Sequence, residues 1–528
     1  MKRRHFLQTT ATATVLPTLL GGMPIGAYGF SPQLFELTGG ATDTDRVLVL
    51  IELGGGNDGL NTIIPLDQYT TLMAARANVA IPQNRVLPLR GATGIHPAMS
   101  AVKNLFDEGK VGIAQNVGYP DANGSHFRSF DIWATAADSN VTLTSGWAGR
   151  YLNGEYPGFP VGYPNAQAPH PLAMTIGSVT SSVSQGLGVN MGMAINNTSS
   201  FYNLLNGAVD AAPSSPFGHE LTFIRQVIQQ TQVYVTAIQQ AAGRAQNLSP
   251  LYPTAGRNPL ADQLKIVAQM VAGGLQTRIY ICSHGDYDNH GGQVTSPTDT
   301  TTGLHAGLLT ELSVAIEAFQ DDLRRLNIQD RVVGMTFSEF GRRIVSNSAN
   351  GTDHGEAGPL LVFGTSVNPV IHGPNPVIPA NPTWLENVPM QIDFRSIYSS
   401  ILKDWFLVPQ STINALLPSR FGQFPYIPVI RPDIIASKSS AAELEVASLS
   451  VFPNPARERA TVEFECEGGH VQVLLFDAVG REVKSVVDRV LPRGRRQLPL
   501  DLSGLAPGMY HCHVREGQRV SARSLAVQ

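Results

Sequence analysis

Cysteine is scarce, with three in 528 residues, too few for a disulfide scaffold or a thiolate zinc cluster. Charge is sparse too. Asp, Glu, Lys and Arg make up 15% of the chain and the formal net charge is −4. Neither nucleic acid nor an anionic membrane is therefore expected as a partner. No apolar run reaches the ~18 residues that a membrane-spanning helix needs, so an integral membrane protein is not expected. What is present is 43% apolar sequence, in a length sufficient for two or three domains with a sizeable core.

The first residues, Met1-Lys2-Arg3-Arg4-His5-Phe6-Leu7, precede a Thr/Ala-rich, weakly apolar stretch that runs to about Phe30. A positive start, a modest apolar region and small residues predict an export signal over 1–30. Arg3-Arg4 with Phe6-Leu7 resembles a twin-arginine signal, whose pathway carries folded proteins. Residues 31–45 read as a linker, and the expected location is outside the cytoplasm.

From residue 46 to 432 the chain alternates apolar strands with polar loops and helices. Val47 to Leu53 is a continuous apolar run of the kind found in parallel strands covered on both faces. It empties into Gly54-Gly55-Gly56-Asn57-Asp58, a turn that lacks GxxxxGK[ST] and offers Asp58 as a metal ligand. A helix over 97–110 and a strand over 111–116 lead to a loop holding Ser125, His126 and Ser129. Ser125 reads either as a nucleophile at a helix start, where developing negative charge is favoured, or as the helix cap. Residues 138–258 read as a largely helical insertion that roofs a site, with an apolar stripe from Ile224 to Ile238. A strand over 278–282 opens onto the richest cluster: His284, Asp286, Asp288 and His290, with glycines around them. After an amphipathic helix over 304–326 and a strand over 331–335 comes Ser338-Glu339-Phe340-Gly341-Arg342, then Asp353-His354-Gly355. A strand over 360–363 precedes His372, a late histidine able to complete a coordination sphere.

Asp58, Ser125, the Asp286–His290 group and Asp353-His354 all follow predicted strands. In open α/β sheets, ligands bind at the carboxyl ends of the strands, so these clusters are expected to meet in one cleft. Carboxylates and imidazoles without thiolates suit Zn²⁺, Mn²⁺ or a mixed pair. Two such ions ~3.5–4 Å apart can hold the attacking and leaving oxygens of a displacement at phosphorus or sulfur.

The pieces Gly-Gly-Asn-Asp-Gly-Leu-Asn (55–61), Ser-His-Phe-Arg-Ser (125–129), Asp-Asn-His (288–290), Ser-Glu-Phe-Gly-Arg (338–342) and Asp-His-Gly (353–355) resemble the domain of unknown function 1501. That family of exported proteins falls in the alkaline phosphatase-like superfamily. The resemblance implies an α/β fold with a mostly parallel sheet and helices on both faces. It also implies Ser125 as the nucleophile and Asp58, Asp288, His290, Asp353, His354 and His372 as ligands of two divalent ions. The superfamily's spacing admits Asp286 in place of Asp288, and Ser129 rivals Ser125. His126, Glu339 and Arg342 stand as further candidates. The activity implied is hydrolysis of phosphate or sulfate esters on a small-molecule or polymer substrate. Residues 125–128 lack the Cys/Ser-x-Pro-x-Arg setting of sulfatases in that superfamily, which favours phosphate. The rival is a secreted surface or binding protein that keeps the fold without turnover.

Residues 433–448 read as a linker. The remaining 449–528 alternate short strands and turns, which predicts a small β-sandwich. Its Cys466 and Cys512 read as either a disulfide or two buried thiols. Phe452-Pro453-Asn454-Pro455, Asp477-Ala478-Val479-Gly480-Arg481 and Leu505-Ala506-Pro507-Gly508-Met509-Tyr510 make it similar to the type A sorting domain of type IX secretion. That likeness implies a Bacteroidota-type outer-membrane route, with the secretion machinery as partner.

Overall fold

The computed structural model describes residues 45–196, 233–431, 449–466, 468–477, 482–516 and 519–527. The expected export signal, the linker over 433–448 and the Ile224–Thr231 part of the apolar stripe lie outside the described residues.

From β1 (Val47–Leu53) the strands continue as β2 (Val111–Gly118), β3 (Ala173–Ile176), β4 (Gly192–Ile195), β5 (Ile279–His284), β6 (Val332–Phe337), β7 (Arg342–Ser346), β8 (Thr352–His354), β9 (Gly358–Phe363), β10 (Ile371–His372) and β11 (Ile392–Asp393). β7 and β8 form a hairpin of their own. The other nine make one sheet in the order β10-β2-β9-β6-β1-β5-β3-β4, with β11 also on β2. Its pairs are parallel except those of β9, which runs opposite to both β2 and β6. The helices that matter below are α1 (Ser100–Asp107), α2 (His126–Thr135), α3 (Trp147–Glu155), α4 (Pro259–Ala272), α5 (Leu304–Arg325) and α6 (Phe394–Ser400).

The apolar run Val47–Ile51 of β1 follows from its central place. Leu48 and Leu50 point into a core shared with Trp133 of α2, Trp147 and Tyr151 of α3, and Tyr398 of α6. Val47, Val49 and Ile51 point the other way, against Phe106 of α1, Leu264 of α4 and Phe319 of α5. Side chains alternate across a strand, so a sheet covered on both faces needs apolar residues at every position. The expected α/β architecture is therefore the one observed.

One expectation fails here. Residues 138–258 are not simply a helical roof, because β3 and β4 extend the main sheet beside β5. Each is only four residues long and sits in Gly-, Asn- and Ser-rich sequence, which hides the alternation that reveals longer strands.

The tail folds as antiparallel sheets of its own. One runs Leu449–Phe452, Arg459–Cys466, Gly494–Asp501; the other runs Glu482–Leu491, Gly469–Asp477, Gly508–Glu516, Arg519–Val527. Val471, Val473 and Leu475 are buried at every second position and join Val462, Phe464 and Leu500 in a core. Cys466 and Cys512 are both buried free thiols, which decides between the two readings of that pair. Among the described residues no helix is long and apolar enough to cross a membrane.

Candidate metal centre

The parallel strands β1, β5 and β6 lie side by side and end together, as their register shows: Leu53 stands beside His284, and Glu52 beside Phe337. The loops leaving them meet above this edge. After β1, the glycine turn presses so closely on the next loop that a Cβ on Gly55 would come 2.4 Å from the Asp288 nitrogen. Gly55 also has a φ of 116°, a conformation open to glycine and costly for other residues. Its N–H donates to Glu339 Oε1 at 2.8 Å, and Tyr287 N–H donates to the Gly54 carbonyl at 3.0 Å. Three segments are thereby clamped together.

Arg342, the first residue of β7, is the buried bolt. Only 1% exposed, it donates to the carbonyls of Gly55, Gly56, Tyr287 and Thr352, and to Asp288 Oδ1 at 2.7 Å. A buried guanidinium is tolerated when its donors are satisfied, and this one is satisfied by the loops around the site. Partial burial raises the Asp288 carboxyl, but the hydrogen bond and the charge of Arg342 outweigh it and hold the group down at about 2. Asp288 is a carboxylate at any ordinary pH.

Three imidazoles converge on that carboxylate, and each has one ring nitrogen already committed. His354 Nδ1 is 2.8 Å from the Gly124 carbonyl. A carbonyl only accepts, so this nitrogen carries the proton and Nε2 is left with a lone pair. His126 Nδ1 donates to Glu339 Oε1 at 2.8 Å, and His290 Nδ1 donates to Asp353 Oδ1 at 2.9 Å. The free Nε2 atoms face Asp288. His290 and His354 lie 3.0 and 3.1 Å from Oδ1, and His126 lies 3.4 Å from Oδ2. His290 Nε2 and His354 Nε2 are 2.9 Å apart. Two lone pairs at that distance repel unless a cation or proton lies between them. The Phe340 ring fixes the stack from one side, 4.9 Å from His126 and 4.6 Å from His354.

This donor set fits a divalent ion. Ligand atoms of His126, Asp288 and His354 lie within 4.8 Å of one another. Tetrahedral ligands at ~2.0–2.2 Å from an ion stand ~3.3–3.6 Å apart; the His126–Asp288 separation of 3.4 Å lies in that range and those of His290 and His354, at 3.0 and 3.1 Å, just below it. Imidazole nitrogens with one carboxylate suit Zn²⁺ or Mn²⁺. A carboxylate or carbonyl behind each metal-binding histidine, which fixes its tautomer, is the usual support of such sites. Replacing Glu339 with Gln keeps an acceptor for Gly55 but removes the charge behind His126. The expected result is metal affinity weaker by about 10–100-fold with an unchanged circular dichroism spectrum, measured by titration with Zn²⁺ against a competing chelator.

The other candidates fall elsewhere. Asp58 lies apart from the cluster: it is 3% exposed, and its carboxylate accepts from Arg76 at 2.8 Å and Gln293 at 2.6 Å. It is half of a buried ion pair. Asp353 stands behind His290, where it also accepts from Asn347 at 3.1 Å. Asp286 is exposed, two residues before Asp288 on the same loop. His372 is on the outermost strand β10, opposite Ala114 in the middle of β2, and so lies short of the edge where the cluster sits. Ser129 is buried and its hydroxyl bonds Tyr119 at 2.8 Å and the Asn123 carbonyl. Ser125 is exposed at the start of α2, directly before His126, and its side chain makes no capping bond. Asn347 was not anticipated. Its amide donates to the His290 carbonyl at 2.8 Å as well as to Asp353, and an Asn in the turn-like Asn-Ser-Ala-Asn-Gly run was the available signal.

Residues 110–395 match the family model described as Protein of unknown function (DUF1501). The chain belongs to this family. All four converging side chains of the centre lie inside the DUF1501 match. Residues 450–528 match the Secretion system C-terminal sorting domain, so this DUF1501 protein is a secreted, cell-surface or extracellular protein that engages secretion machinery. No curated protein matches it. Among solved structures it is similar to a protein in the alkaline phosphatase superfamily from Vibrio parahaemolyticus, at 8% identity, over 100% of this chain and 91% of that one, with a TM-score of 0.34. It is also similar to the phosphonate monoester hydrolase SpPMH from Silicibacter pomeroyi, at 9% identity, covering 92% and 89% of the two chains, with a TM-score of 0.32. A match to dimeric latent PorU from Porphyromonas gingivalis, at 24% identity, spans 15% of this chain and 9% of that one, with a TM-score of 0.13.

Proposed function

We propose that His126, Asp288, His290 and His354 hold a divalent cation, Zn²⁺ or Mn²⁺, and that the protein uses it to hydrolyse phosphate esters, or sulfate esters, outside the cytoplasm. The observation that carries this reading is the common orientation of three histidines, each with Nδ1 committed and Nε2 turned toward Asp288. Such an ion polarises an ester oxygen and stabilises charge developing on it. Arg342 keeps Asp288 ionised and aimed. Glu339 and Asp353 hold their histidines in the tautomer that leaves Nε2 free. Ser125 supplies an exposed hydroxyl beside His126 at the amino end of α2, where the helix dipole favours an anionic group. Export begins, in this reading, at the twin-arginine-like start of the chain.

The test is hydrolysis of p-nitrophenyl phosphate and p-nitrophenyl sulfate by the purified full chain, before and after chelation. Phosphate is expected to be cleaved faster, the activity to disappear on chelation, and Zn²⁺ or Mn²⁺ to restore it. Stoichiometric metal with no cleavage of either ester would leave the binding-protein alternative.

A further inference from the structure

Of the three histidines in the centre, His354 alone leans on a support that can be turned around. His126 and His290 donate Nδ1–H to the carboxylates of Glu339 and Asp353, and an ionised carboxylate only accepts. His354 instead donates to the main-chain carbonyl of Gly124 at 2.8 Å. That carbonyl shares a peptide unit with the N–H of Ser125, and in a trans peptide the two point to opposite sides. Turning the plane over would bring a donor to His354 in place of an acceptor. Nδ1 would then have to accept, the proton would sit on Nε2, and the lone pair facing Asp288 would be lost. The direction of one peptide plane therefore decides whether His354 can take a cation.

The side chain of Asn123 holds that plane. Its Oδ1 accepts from the Ser125 N–H at 2.8 Å, which leaves the Gly124 carbonyl turned the other way, toward His354. The main chain of Asn123 is pinned as well. Its N–H donates to the Tyr119 hydroxyl at 2.9 Å, the Ser129 hydroxyl donates to its carbonyl, and the two hydroxyls are 2.8 Å apart. Tyr119 and Ser129 are buried, and the Tyr119 ring stands edge-on to Phe394 at 6.2 Å, so this clip is rooted in the core. Asn123 itself is exposed; its bonds shape the loop and fill no space beneath it.

We infer that Asn123 is a positioning residue, which acts through the Gly124–Ser125 peptide to keep His354 in the tautomer that presents Nε2 to the ion. This rests on the metal-binding part of the reading above, while the tautomer itself can be read without metal. Ser129 gains a role by the same argument. Its hydroxyl touches no ligand of the centre and serves to anchor Asn123.

The experiment compares the full chain with its Asn123→Ala and Asn123→Asp variants. The first removes the acceptor for the Ser125 N–H, and the second keeps an oxygen in its place. Nitrogen NMR of the metal-free protein, isotope-labelled at histidine and kept mildly basic, reads which ring nitrogen of His354 carries the proton. Comparison with His354→Ala locates its signals, and titration against a competing chelator reads Zn²⁺ affinity. The parent and Asn123→Asp are expected to carry the His354 proton on Nδ1, and Asn123→Ala to show a substantial share on Nε2. Zn²⁺ affinity should fall about tenfold in Asn123→Ala, the low end for groups that support a ligand, and recover in Asn123→Asp. An unchanged His354 tautomer in Asn123→Ala would overturn the inference, as would affinity lost equally in both variants. A tautomer shift in a protein that binds no Zn²⁺ would uphold the positioning role while rejecting the metal centre.

Discussion

Replacing Asp288 with Asn and His354 with Ala in one chain is expected to empty the metal centre while leaving the fold in place. Both side chains are partly exposed, so neither substitution opens a cavity in the core. Arg342 loses one of its partners but keeps four backbone carbonyls. The centre loses its carboxylate charge and one imidazole, which leaves only His126 and His290 of the four converging side chains. Losing a group that merely supports a ligand costs about 10–100-fold in affinity, so losing two ligands should exceed that. Elemental analysis of parent and variant, purified identically, should fall from about one Zn²⁺ or Mn²⁺ per chain to near none. Circular dichroism should be the same for both. Equal metal in the two proteins would reject the centre.

The second large effect concerns stability. Arg76 is fully buried against Asp58, and Arg76→Met leaves that carboxylate inside the protein without its counter-charge. Breaking such a pair from one side typically costs about 3–5 kcal/mol, and urea denaturation should show a loss of this size. The pH dependence gives a sharper check. In the parent, burial raises the Asp58 carboxyl, but Arg76, His305 and Gln293 outweigh it and hold it below the ordinary value of ~3.9. A depressed folded value contributes stability above the unfolded value, and that contribution is lost as pH falls through the folded one. Without Arg76, burial stands unopposed by its main counterweight and the carboxyl moves up. The variant then gains on protonation, so the gap between parent and variant should narrow as pH drops toward 4. A constant gap would mean that the two groups do not act as an ion pair. Asp58→Asn should also destabilise, yet leave the metal content of the purified protein unchanged, because the Asp58 carboxylate is committed to Arg76 and Gln293.

That contrast shows where reading the chain succeeds and where it stops. Asp288, His290 and His354 each lie beyond an apolar run in the sequence, and the structure brings ligand atoms of the three within 3.1 Å of one another. Asp58 has the same type and the same position after a strand. What sets it apart is Arg76, eighteen residues on in a short helix, and a partner reached through folding leaves no local mark. Asp353 offers the same chemistry in the sequence, which carries no sign that His290 stands in front of it. His372 comes late in the chain, and its strand docks at the far edge of the sheet, beside Ala114 of β2. The main strands were visible in their unbroken apolar runs. β3 and β4 were not, because four residues hold too few alternations to stand out.

The antiparallel course of β9 has a consequence for how the centre can change. A parallel neighbour would oblige the chain to cross back over the sheet through a helix before pairing. β6 instead leaves the sheet and β9 re-enters it from the same rim, so the whole excursion from Ser338 to Ala357 stays on one side. Glu339, Arg342, Asp353 and His354 all ride on that excursion, anchored at both ends by main-chain ladders. The β7–β8 hairpin tip is in turn tied to the loop after β5: Gly292 N–H donates to the Ala349 carbonyl, Gln293 N–H to that of Asn350, and the Asn347 amide to that of His290. A shift of this hairpin therefore carries His290 and His354 together, while the sheet beneath them stays fixed.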